Sequence, residues 1–293
     1  MIGPKRWARN GWTTRRWVAA ALLTISGIAV TSDAWGDMLR IARRDAESSH
    51  LFIVPVVIAW LAWVRRGRLR QCSPADFWVG PLIVGCGWLL YSRGDALFLQ
   101  SLWHGGAVLV AAGCALTVLG GCLLRRFLPA FVALLFLVPV PSRLRQEVAI
   151  PLEATTASVT QRLMALTGDS VERAGNVLTL NGVDITIAEA CNGLRMVYAL
   201  TLVSYAFAFG TPLREHTRLI ILMASPPLAV ACNMARLVPT VWLCAHEPGV
   251  LARQIHDWGG SVMLGMSFLA LMGIPRVLRW VMVPVSSYSL VCD

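Results

Sequence analysis

Three residues in this chain have the side chains that acyl-transfer chemistry needs, and each belongs to a different apolar run. They are Cys191 in "AEACNGLRM", Arg236 in "ACNMARLVPTVWL" and His256 in "QIHDWGGS". A thiol can act as nucleophile, an imidazole can move protons near neutrality, and a guanidinium can stabilise an oxyanion or a thiolate. Each placement suits its chemistry. Cys191 opens an apolar segment with helical character, where the positive end of the helix dipole favours the thiolate. Arg195, four residues on, shares that helix face and adds positive charge. Asn233 and Arg236 are spaced i, i+3, so one face presents both. Pro239 removes a backbone N–H and frees a carbonyl one turn away. Glu189, two residues before the thiol, joins Arg195 and Asn233 as a supporting residue.

Each residue has a simpler reading. A cysteine at a helix start is often a packing residue, a loop histidine is often solvated, and Arg195 lies near enough to an interface to snorkel. Arg236 is harder to set aside, because it lies roughly 12 Å of helix rise from the nearest outer loop. Ionisable groups at such depth mark functional sites. Found together at one end of three consecutive runs, the three residues point to a cysteine acyl-transfer site. The eight cysteines include no CxxC pair and no Cys/His spacing typical of zinc, so neither metal nor cofactor is expected. Cys86, Cys114, Cys122, Cys232 and Cys244 lie in apolar runs and read as packing residues.

The elements that must hold this site are set by composition. Of 293 residues 56% are hydrophobic and only 14% charged, against about 25% charged in a soluble domain. Mean hydropathy is +0.62. The sequence predicts an all-α polytopic membrane protein with about eight transmembrane helices, over roughly 17–33, 50–64, 77–92, 102–124, 127–141, 193–210, 219–244 and 260–276. The second and fifth are short enough to be re-entrant. The basic flank "PKRWARNGWTTRRW" precedes an uncleaved first span. The chain reads as one integral membrane domain over 1–293.

The net charge of +10 does not indicate nucleic acid, because the 26 basic residues, 25 of them Arg, sit in short segments flanking apolar runs. Fifteen fall on one side: the N-terminal group, "RRGRLR" at 65–70, Arg125, Arg126, Arg214, Arg218, Arg276 and Arg279. The other side holds nine arginines and 13 acids. The positive-inside rule then puts both termini in the cytoplasm and segment 142–192 outside it. That segment reads as a small amphipathic helix followed by a β-hairpin around Asn181–Gly182, which delivers Cys191 to the sixth span.

"NVLTLNGVDITIAEACNGLRM", "PPLAVACNMARLV" and "IHDWGGSVM", in this order and spacing, resemble the three blocks of the exosortase/archaeosortase membrane transpeptidases. "ESSHLFIVPVVIAWLAW" resembles the family's N-terminal block, which usually reads Ser-His-Gly where this chain has Ser49-His50-Leu51. Asn192 replaces the serine common after the cysteine. The resemblance, over roughly residues 45–275, implies an enzyme of the inner membrane with an extracytoplasmic site. Its substrates would be exported proteins with a C-terminal tail of short motif, such as Pro-Glu-Pro, membrane helix and Arg-rich cluster. It implies Cys191 as nucleophile, Arg236 as stabiliser of the oxyanion or thiolate, and His256 as proton carrier, with an acceptor that the sequence does not identify. The alternatives are an intramembrane cysteine protease that uses water, and a non-enzymatic transporter or assembly factor that uses Arg236 as a binding charge. No inverted repeat of the transporter kind is evident.

Overall fold

The computed structural model describes residues 12–45, 47–72, 76–166, 171–180, 182–186, 193–246, 259–260 and 262–273. They are nearly all helical: α1 (Thr14–Val30), α2 (Ser32–Arg44), α3 (Val54–Val64), α4 (Val79–Ala96), α5 (Gln100–Leu119), α6 (Gly121–Arg126), α7 (Leu128–Ala133), α8 (Ser142–Leu166), α9 (Leu194–Gly210), α10 (Glu215–His246) and α11 (Val262–Gly273). Three short 3₁₀ segments, Glu47–Phe52, Arg66–Gln71 and Leu134–Leu137, join or extend them.

The apolar runs at 77–92, 193–210 and 219–244 are covered by α4, α9 and α10, whereas 102–124 is divided between α5 and α6 at Gly120 and 127–141 contains only the short α7 and a 3₁₀ segment. Among the described residues three segments can cross a membrane by length and composition, Glu47–Val64, Gln100–Leu119 and Glu215–Leu243. The number reaches five if two bent pairs each count as one span: α1 with α2, bent by 79°, and Leu128–Leu137 with α8. α9 and α11 are shorter apolar helices. Large apolar side chains point outward, Ile25 at 61%, Leu82 at 68% and Met223 at 69% exposure, as lipid-facing positions should.

The described residues fall into two compact units. One runs to Pro141 and includes Phe209–Pro212; the other takes Ser142–Ala208 and the residues from Leu213 on. In the first unit α4 and α5 pack closely along glycines spaced by seven, Gly80, Gly87 and Gly94 on α4, Gly106 and Gly113 on α5. A methyl at Gly80 would meet the Thr117 backbone, one at Gly94 the Trp103 backbone and one at Gly106 the Tyr91 backbone. Small residues at this period let two helix backbones touch, which in lipid replaces the hydrophobic drive between helices. α5 also packs on α1, where Gly27 lies against Cys114 and Val110. The break after α1 falls at Thr31, whose hydroxyl donates to the Gly27 carbonyl at 2.9 Å and accepts from the Trp35 indole at 3.1 Å.

The second unit contains a three-stranded antiparallel sheet of order β1 (Glu172–Ala174), β2 (Val177–Leu180), β3 (Val183–Thr186). Leu180 lies opposite Val183, and Gly182 in the link has φ +77°. Leu178 and Leu180 of β2 are fully buried on one face of the sheet, as alternation requires. That face rests on α8 and α10: Leu178 packs with Ala157, Leu237 and Val241, and Leu180 with Met164 and Val238. α8 buries Ala149, Thr156, Ala157, Thr160 and Met164, a stripe at helical spacing. The stripe is therefore covered, at least in part, by protein. The helix extends over 25 residues and coincides with the stretch at 143–168 whose polar and apolar mixture suggests a helix. The β1 strand, turned into β2 through Gly175 at φ +67°, is an addition to the expected elements.

Candidate active site

The site grows from α10. Three prolines interrupt its hydrogen-bond ladder, Pro226, Pro227 and Pro239. Each lacks an N–H and leaves the carbonyl four residues back without its helical donor. Side-chain hydroxyls of the same helix bond to its carbonyls: Ser225 donates to the Leu222 carbonyl at 2.9 Å, and Thr240 to the Arg236 carbonyl at 3.0 Å.

Between these breaks Asn233 and Arg236 point the same way. The Arg236 Nη2 donates to Asn233 Oδ1 at 3.1 Å, with Asn233 1% and Arg236 8% exposed. The i, i+3 spacing thus becomes one buried polar unit. The bond orients both groups: the amide oxygen is occupied by the guanidinium, and the planar fork is held in a fixed direction.

Two chain segments close on this pair, and both do so at glycine. Gly193, two residues after Cys191, has φ +88°, a left-handed conformation that strains any residue with a Cβ. Its Cα faces Asn233 so closely that an added methyl would stand 2.9 Å from Nδ2. Gly259 and Gly260, three and four residues after His256, flank the Arg236 side chain. Methyls there would stand 3.4 Å from Cδ and 3.3 Å from Nη1. The segments that follow Cys191 and His256 therefore meet the Asn233–Arg236 pair. Beside this layer, Met196 and Leu200 of α9, Ala229 and Cys232 of α10, and Met263, Leu264 and Phe268 of α11 share one apolar cluster. Phe207 meets Phe268 edge-on at 6.2 Å between ring centres.

Cys191, Glu189, Asn192 and His256 themselves lie outside the described residues. Arg195 is exposed in the first turn of α9. Gly193, Gly259, Gly260 and Thr240 are contributors that a search for reactive side chains passes over. For the three glycines the signal in the sequence is that each follows a reactive residue at short distance, in "CNG" and "HDWGG".

The first unit has its own buried polar groups. His104, fully buried, places Nε2 3.1 Å from Asp37 Oδ2, and Arg40 lies 3.2 Å from the other oxygen. In the Glu47–Phe52 turn, Glu47, Ser48 and His50 are buried; Ser48 donates to Asp45 at 2.9 Å, and His50 Nδ1 is 3.0 Å from the Glu47 carbonyl. Cys72 and Cys122, 50 residues apart, form a disulfide, so Cys122 is more than a packing residue. Among the described residues no group of three His, Cys, Asp or Glu side chains could hold a metal ion.

No curated protein and no solved structure matches the chain. The profile of the transmembrane exosortases matches residues 35–273, which takes in the buried turn at His50, the Asn233–Arg236 pair and the two glycine segments that meet it. The chain belongs to the transmembrane exosortase family.

Proposed function

We propose that this protein is a membrane-embedded cysteine transpeptidase that removes C-terminal sorting tails from exported proteins and passes the new C-terminus to an acceptor. The observation that supports this most is the convergence on Arg236. The glycine that follows Cys191 and the glycines that follow His256 both pack on the Asn233–Arg236 pair. A buried arginine with a fixed orientation, approached by these two segments, suits the stabilisation of charge on a tetrahedral intermediate.

In the proposed reaction the Cys191 thiolate attacks the scissile carbonyl, forming a C–S bond and placing negative charge on oxygen. Arg236 donates to that oxygen. The intermediate collapses with cleavage of the C–N bond, and His256 gives a proton to the departing amine. The thioester then reacts with an acceptor amine, whose proton His256 takes as the C–S bond breaks, and the Cys191 thiolate and protonated His256 are restored. The substrate is a protein ending in a short motif, a membrane helix and an Arg-rich cluster. With the cluster in the cytoplasm, the cut site comes to the outer face of the inner membrane. Both termini of the enzyme are cytoplasmic, and segment 142–192 lies outside.

The test is co-expression with a tailed substrate and mass analysis of its mature C-terminus. Wild-type protein should shorten the substrate and leave an added acceptor mass, and Cys191→Ala should leave the tail intact. A shortened substrate without added mass would assign water as the acceptor. Full processing by inserted Cys191→Ala protein would remove the enzyme assignment.

A further inference from the structure

We propose that the arginine-rich end of the first unit is a binding site for an anionic phospholipid, which inserts an acyl chain into a cavity there and offers its phosphate to the arginines at the rim. The cavity has a volume of about 220 Å³ and almost wholly apolar walls, among them Trp17, Ile58, Leu69, Leu123, Phe127 and Phe131. Without polar lining it offers water no partners and gives a polar ligand nothing to orient it. A hydrocarbon chain needs neither.

The frame around the cavity is built from distant parts of the chain. The Trp12 indole donates to the carbonyls of Leu69 at 3.1 Å and Cys72 at 2.8 Å, which ties the start of α1 to the 3₁₀ segment Arg66–Gln71. The Cys72–Cys122 disulfide ties the end of that segment to α6. Trp17, Leu69, Leu123 and Phe127 are thereby held as walls of one space.

Charge at this end favours an anion. Arg16 precedes Trp17, Arg68 and Arg70 flank Leu69, and Arg126 precedes Phe127, so three wall residues each adjoin arginine in the chain. Asp76 is the one acid in the connections at this end. The Arg16 Nη1 is buried and has no hydrogen-bond acceptor among the described residues, a cost that a phosphate oxygen would remove. Tryptophans mark the depth. Trp12 stacks on Trp17 at 5.5 Å, and the Arg66 guanidinium lies 4.1 Å over the Trp63 ring. Tryptophan collects at the headgroup level, so the rim lies where phosphates are and the cavity runs toward the acyl region. Basic pockets on this side of a membrane recruit anionic headgroups. The same arginines repel a basic peptide tail.

The experiment uses the full chain in nanodiscs made of equal parts phosphatidylglycerol and phosphatidylcholine. A trace of one lipid or the other carries a diazirine midway along an acyl chain. After photolysis, peptides containing Phe127 and Phe131 should carry at least about fivefold more phosphatidylglycerol than phosphatidylcholine label. Arg16→Gln should bring the two probes toward equality, and Ala62→Trp, which fills the cavity, should remove label from both phenylalanines. Equal labelling by the two probes in the wild-type protein would overturn the proposal, with or without folded variants. Undiminished labelling of Phe127 in folded Ala62→Trp protein would do the same.

Discussion

The α4–α5 pair and the α9–α10–α11 site both depend on glycine, but the glycines meet different things. On α4 and α5 they meet backbone: Gly87 would put a methyl 2.8 Å from the Val110 nitrogen, and Gly113 one 2.7 Å from the Val84 nitrogen. Around Arg236 they meet side chains that carry charge or amide. In the first region the missing Cβ lets two helix backbones touch. In the second it lets chain segments come near a polar pair that must remain buried and oriented. The first kind of glycine determines whether the helices pack at all. The second determines how closely chemistry can be assembled on helices that already pack. Substitutions at the two places should therefore fail in different ways.

The largest effect is expected at the seam. Gly106→Leu would drive a branched side chain into the Tyr91 backbone. Backbone cannot yield as a side-chain end can, so the cost should reach about 3 kcal/mol or more, the upper end for overpacking. Thermal unfolding in detergent should show a greatly lowered midpoint or no folded protein. A near-normal midpoint would break the distinction between the two regions.

Next comes Arg236→Lys. The charge is kept but the fork that bonds Asn233 is lost. Inserted protein should unfold near the wild-type temperature while tail processing falls roughly a hundredfold, the scale of losing one oxyanion donor. Gly193→Ala should come third. A Cβ at φ +88° costs about 1–2 kcal/mol, and it would also push on the Asn233 amide. Processing should drop about tenfold, with insertion and yield unchanged. If Gly193→Ala instead lost its fold like the seam variant, the site glycine would be a packing residue too. The smallest effect is expected for Arg195→Gln. The side chain is exposed, and processing should stay within about twofold, as for surface positions with free energies near ±0.5 kcal/mol.

The features readable in the sequence are those whose period is local. Apolar runs long enough for helices became helices, and Asn233 and Arg236, spaced by nearly one turn, became hydrogen-bonded partners. Features set by distant parts of the chain were not readable. Nothing near Cys72 names Cys122 as its partner, and nothing near Asp37 names His104. The run at 17–33 reads as one span because hydropathy does not register a 79° bend at Thr31, which depends on a hydroxyl and an indole. β1 has only three residues, all exposed, too few for an alternating pattern. The role of Gly193 was visible only as a residue type. Its contact with Asn233 joins positions 40 residues apart.

The central claim is that Cys191 forms a covalent acyl-enzyme beside Arg236. The most direct measurement is the intact mass of the purified full-length enzyme after brief mixing with a synthetic tail peptide and acid quench. A protein population heavier by the acyl fragment is predicted. The added mass should map to Cys191, be released by hydroxylamine as a thioester should be, and be absent from Cys191→Ala. Peptide cleavage by wild-type protein with no added mass, together with equal cleavage by Cys191→Ala, would contradict the covalent mechanism.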